Sequence, residues 1–304
     1  MNSFCLHLRD DQSRSRLSRL GGFRGNVTGI YNLHPALTTI RAQSFPYTTV
    51  MYPQEFMKYY WELPVISPGG NLILVPCTRY CSGLRTPRLE GRITWRKAVA
   101  KHFDAKGWDP AVKSWMETDR QAAVFAGHGL PEELSLVCRL ALQAGFRDAG
   151  TIRDWADQML GIDCNGFVSA YLTSLGLFSR PLHKHPVYVT VSPPTQSPIE
   201  IAADSIIVTA GGTAPGNYHV KDNPGESGAH IIVIDDWVVE GTSFKATDQA
   251  GKEKPGPETL EYKIIKAPPA NAKLPLDRVY TIRKKGNLPK YDKLVYITRP
   301  MQSY

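Results

Sequence analysis

The chain has 304 residues, enough for one large domain or two small ones with a proper core. Its 42% hydrophobic and 21% charged content is that of an ordinary soluble globular protein, and no apolar run approaches 18 residues, so a transmembrane helix is excluded. The formal charge of +8 suits an anionic partner, but Arg9, Arg14, Arg16, Arg19 and Arg24 all fall near the start, so the excess says little about the folded part. Five cysteines, an odd and sparse set, make no disulfide framework.

Residues 1–44 are rich in Ser, Arg, Gly and Asn and read as a basic, disordered arm. They lack the apolar stretch of a standard secretory leader, so a cytoplasmic protein, or one exported by a non-classical route, is expected. Residues 45–91 form a small strand-rich region, with strands at Tyr59–Ile66 and Asn71–Val75 split by a Ser-Pro-Gly-Gly turn. Cys77 and Cys81 lack the further ligands a zinc site needs and read as a local disulfide or two packed thiols. Residues 92–304 form the rest, beginning with helices. One starts at a Thr94 cap, one runs from the Asp109-Pro110 start to Phe125, one spans Pro131–Ala144 and one Ala149–Leu160. His128 sits between glycines and has no assigned role. After Pro181 strands are expected at Val187–Val191, Ser205–Thr209, His230–Ile234, Trp237–Glu240, Tyr262–Lys266, Arg278–Arg283 and Leu294–Thr298, with insertions at Ala210–Ser227 and Lys245–Thr259.

The most informative stretch is Gly161-Ile162-Asp163-Cys164-Asn165-Gly166-Phe167-Val168. Apolar residues at helical spacing follow Cys164 up to Leu175, and Gly176 ends the run. A thiol at a helix start faces free N–H groups and the positive end of the helix dipole, both of which favour thiolate. Asp163 or Asn165 suits a cap, and Gly166 permits a close approach. Downstream, Gly228-Ala229-His230-Ile231-Ile232-Val233-Ile234 opens a strand with a histidine, the base partner such a thiol requires. The ordinary alternative for a lone cysteine is packing in a core.

This order of features resembles the NlpC/P60 group of papain-like cysteine peptidases and its CHAP and amidase relatives. Asp163-Cys164-Asn165-Gly166-Phe167-Val168 is similar to their Asp-Cys-Ser-Gly-Phe/Leu-Val motif, with Asn for Ser. Ala203-Asp204-Ser205-Ile206-Ile207-Val208 resembles the strand before their histidine, and the His230 strand resembles their His-Val-Gly-Ile-Tyr form. The match covers residues 150–245. It implies an α+β, papain-like core in which the nucleophile helix packs on an antiparallel β-sheet, preceded by a helical region. It also implies a cysteine peptidase or amidase that cleaves an amide or isopeptide bond, with peptidoglycan peptide as the default substrate and no cofactor or metal.

Cys164 is then the expected nucleophile and His230 the base, with Glu240 as the third member. Side chains alternate along strands, so a two-residue turn at Asp235-Asp236 sends Glu240 to the face opposite His230, whereas a three-residue loop brings it diagonally onto the same face. The Asp-Asp pair lacks the glycine of a tight turn, which favours the longer loop. Glu240 as a solvated strand residue remains the plain alternative, and Thr242 is in reserve. The expected partner is a peptide or amide-containing substrate. The rivals are a non-catalytic phage or envelope module, an acyltransferase or deamidase on the same scaffold, and a nucleic-acid binder argued from charge alone with no recognisable motif. The sequence leaves the oligomeric state open.

Overall fold

A computed structural model describes residues 52–81, 83–178, 195, 197–209, 230–238, 243–249, 256–273, 275–286 and 292–300. The expected basic arm, the Val187–Val191 strand and the Ala210–Ser227 insertion lie outside the described residues. Residues Leu33–Tyr304 cluster into one compact unit.

Two short helices, α1 (Pro53–Phe56) and α2 (Lys58–Trp61), lead into a two-stranded hairpin, β1 (Leu63–Ile66) and β2 (Leu72–Val75). Tyr59, Tyr60 and Trp61 are thus helical rather than part of the first strand. Helix α3 (Arg88–Lys106) begins well before the expected cap. Thr94 is a mid-helix residue whose hydroxyl donates back to the Glu90 carbonyl at 2.8 Å. The run after Asp109 is two helices, α4 (Pro110–Glu117) and α5 (Arg120–Phe125), divided at Thr118 and Asp119. Asp109 caps α4 by accepting from the Ala111 and Val112 N–H groups at 2.8 and 3.1 Å. Helices α6 (Pro131–Gln143), α7 (Ile152–Met159) and α8 (Cys164–Ser174) follow. Trp155 is core, its ring 5.7 Å from Phe146 and 6.3 Å from Phe125.

The C-terminal half is a closed antiparallel barrel of β3 (Ile206–Thr209), β4 (Ile231–Val238), β5 (Ser243–Asp248), β6 (Glu258–Lys266), β7 (Tyr280–Lys284) and β8 (Lys293–Thr298). β8 closes it by pairing with β3, Ile206 facing Thr298 and Thr209 facing Val295. This overturns the papain-like α+β core expected from the motif order. The reason lies in the segment read as the Lys245–Thr259 insertion. It supplies most of β5 and the start of β6, and these strands carry the sheet round onto itself.

The barrel wall explains the apolar runs Ile206-Ile207-Val208 and Ile231-Ile232-Val233-Ile234. Alternate residues Ile207, Ile232 and Ile234 fill the barrel with Phe244, Tyr262, Tyr280 and Ile297. Ile206, Val208, Ile231 and Val233 face the other way, into the helical core with Phe167, Val168, Tyr171 and Leu172 of α8. A strand buried on both faces loses the apolar–polar alternation of a half-exposed one. Each such side chain contributes about 1.5–3 kcal/mol on burial, so this shared wall joins the two halves firmly.

Asp235 adds a polar tie. It accepts from the Gln54 backbone N–H at 2.8 Å and the Thr247 hydroxyl at 2.7 Å, linking α1 to the barrel. Burial, with Asp204 and Asp236 nearby, pushes its carboxyl up to about 6 against the Thr247 and Gln54 bonds, from 3.8. The folded chain therefore holds a proton there that the unfolded chain releases between about pH 4 and 6. This contribution to stability is full below that window and is lost as pH rises through it. Asp235→Asn should flatten the dependence, as read by urea melts at pH 4.5 and 7; an unchanged slope would place the proton elsewhere.

Candidate active site

Cys164 is the first residue of α8, as its sequence context implies. Asp163 is the N-cap: its Oδ1 accepts from the Gly166 N–H at 2.5 Å, and its backbone is extended. Burial first, and the neighbouring Cys164 second, push the Asp163 carboxyl well above its ordinary range. Asp163 also faces the His128 imidazole, Nε2 to Oδ2 at 3.4 Å. The Gly-His-Gly loop between α5 and α6 therefore packs against the Cys164 turn.

The close approach expected at Gly166 is made by that loop. A Cβ at Gly166 would lie 1.9 Å from the Gly127 carbonyl oxygen, and that same oxygen accepts from the Asp163 N–H at 3.1 Å. Gly161 is pressed likewise against the Arg79 carbonyl, where a Cβ would lie 2.3 Å away. Two strands of chain thus clasp the turn. Residues 79–81 run beside it through the parallel bridge of Tyr80 to Ile162, and Gly127 closes the other side.

His230 stands one residue before β4, at the barrel rim. Its backbone is fixed to β3, its N–H donating to the Thr209 hydroxyl at 2.6 Å. Its Nε2 meets Asp248 Oδ1 at 2.5 Å, and the same imidazole hydrogen-bonds Cys164. With Nε2 engaged by the carboxylate, Nδ1 is the ring nitrogen left for the thiol. Burial works against the imidazolium, but the charges of Asp248 and Cys164 and the hydrogen bonds to both outweigh it, so His230 is held protonated well above its ordinary range. Asp248 is also held by the Tyr262 hydroxyl at 2.7 Å. Burial pushes its carboxyl up, but His230 and the hydrogen bonds push it down further, so it stays ionised. The two shifts agree on a charged pair.

Tyr80 completes the group. Its hydroxyl bonds to Cys164; burial first, then the charges of Cys164 and Asp163 and that bond, raise the phenol and keep it protonated. Cys164 itself is only 3% exposed and packs within the helical core, while the His230 side chain is 22% exposed.

The structure therefore brings together two of the three expected residues. Glu240 lies outside the described residues, and the pairing invoked for it does not form. Neither turn expected at Asp235-Asp236 exists. β4 passes through both residues with a bulge, Ile234 faces Ala246, Val233 faces Thr247, and the strand continues to Val238. The carboxylate on the His230 ring is Asp248, at the far end of the next strand. Its signal in the sequence is the alternation Phe244-x-Ala246-x-Asp248, which carries two barrel-filling side chains and then the acid on one face. Tyr80 has no comparable signal in the sequence. The flanking Cys77 and Cys81 form no disulfide with each other: Cys77 hydrogen-bonds Cys138, and the Cys81 thiol donates to the Phe125 carbonyl at 3.4 Å.

Three further histidines of the sequence, His183, His185 and His219, lie outside the described residues. Among the described residues no group of three or more His, Cys, Asp or Glu side chains is gathered as metal ligands, and no helix is long and apolar enough to cross a membrane. Comparison with family models, curated proteins and solved structures finds no match.

Proposed function

We propose that the protein is a cysteine hydrolase acting on an amide or isopeptide bond through Cys164, His230 and Asp248. The observation that carries this reading is the His230 ring, which bonds the Asp248 carboxylate on one side and the Cys164 thiol on the other, in the order nucleophile, base, orienting acid. The cysteine at a helix start adds to it.

In this reading the Cys164 sulfur attacks the carbonyl carbon as a thiolate paired with the His230 imidazolium. The Cys164 backbone N–H and the Tyr80 hydroxyl donate to the developing oxyanion. The amine leaves with the proton His230 returns to it, and a thioester remains. Water then gives its proton to His230 and attacks the thioester, releasing the acid and the thiol. Asp248 holds the imidazole in one orientation and steadies its charge.

The substrate class rests on the motif resemblance to NlpC/P60 peptidases, which implies peptidoglycan stem peptide. The closed barrel is no part of that resemblance; the Asp163–Val168 and His230 segments carry it. The test is incubation of the protein and of Cys164→Ala with stem peptides and a panel of acyl amides, with mass spectrometry of products and of Cys164. Amine release with a thioester on Cys164, both absent in the variant, is expected. Ammonia release would mean a deamidase, and transfer to an added amine an acyltransferase. A Cys164 that never acylates would leave a binding module.

A further inference from the structure

Gln249 directly follows the proposed acid and is buried, 1% exposed. Its Nε2 donates to two backbone carbonyls, Thr78 at 3.2 Å and Ile162 at 3.0 Å. Thr78 lies two residues before Tyr80, and Ile162 two residues before Cys164. These segments already touch: the Ile162 N–H donates to the Arg79 carbonyl at 3.1 Å, and the Cys81 N–H to the Ile162 carbonyl at 3.3 Å. The amide orientation follows from chemistry, since an oxygen turned toward two carbonyls would repel both. Its Oε1 is sealed from solvent without a hydrogen-bond partner among the described residues. Burying an acceptor in this way disfavours glutamine against an apolar side chain of the same size. Packing alone therefore does not account for the residue, and its two N–H bonds do.

We infer that Gln249 is a positioning residue for the proposed reaction. It locks the end of β5, which carries Asp248, to the segment that carries Tyr80 and to the turn that carries Cys164. The sulfur belongs to the helical core and the carboxylate to the barrel, and the Gln249 side chain bonds across from one to the other beside the reacting groups. The inference rests on the catalytic reading above.

Gln249→Met keeps the length and volume but removes both donors; Gln249→Asn keeps the amide one methylene short. The readout is the pH profile of Cys164 alkylation by iodoacetamide between pH 5 and 9, resolved by site with mass spectrometry, alongside the thermal midpoint of the same samples. Both variants should fold, slow alkylation at pH 6 about five-fold or more, and move the midpoint of the profile to higher pH. A purely structural role would lower the thermal midpoint and leave the profile in place. Profiles that superimpose on wild type, or failure of both variants to fold, overturn the positioning role while the catalytic reading stands. A wild-type profile that rises only above pH 8 overturns the catalytic reading instead, and this inference with it.

Discussion

Asp248→Asn is expected to reduce turnover on the order of 10³-fold while leaving the fold intact. The carboxylate supplies two things to His230. It accepts at Nε2, which fixes the ring so that Nδ1 faces the sulfur, and its charge stabilises the imidazolium. An amide offers neither the charge nor a unique orientation, since its NH₂ invites the opposite tautomer. The Tyr262 hydroxyl bonds the other carboxylate oxygen and can serve the amide equally well, so the side chain should stay in position. Single-turnover acylation of Cys164 measures the effect. Glu240→Gln, the change the sequence alone singles out, should stay within about two-fold of wild type. A large effect at Glu240 with none at Asp248 would discard the assignment.

Gly166→Ala should be severely damaging to the fold. The added methyl would lie 1.9 Å from the Gly127 carbonyl oxygen and 2.9 Å from its carbon. Both are backbone atoms, and no rotamer change relieves them. The oxygen is also the acceptor for the Asp163 N–H, so displacing it costs the turn a hydrogen bond. Overpacking of this kind destabilises by about 3 kcal/mol or more. For a unit of this size that corresponds to a melting point roughly 10 °C lower. A melt within about 2 °C of wild type would show that the Gly-His-Gly loop yields.

Local chemistry around Cys164 was legible because it is encoded locally. An Asp cap, a thiol at the first helical position, a glycine two residues on and a histidine opening a strand are all statements about neighbours in the chain. The third residue was not legible, because its place depends on how far β4 runs. Asp235 and Asp236 look like a turn, yet Asp235 is buried among Gln54, Thr247 and the barrel, and the strand continues past both. The barrel was hidden for a related reason. Lys, Gly and Pro between residues 245 and 259 suggested a loop, while only the register of β5 against β6 shows that Phe244 and Ala246 point inward. Tyr80 and Gln249 touch the Cys164 turn from positions more than 80 residues away in the chain, which composition and periodicity do not encode.

The double-faced wall formed by β3 and β4 makes the two interiors interdependent. Ile206, Val208, Ile231 and Val233 fill the helical side, while Ile207, Ile232 and Ile234 fill the barrel. Unzipping either strand exposes both interiors at once, so the barrel and the helices stand or fall as one cooperative unit.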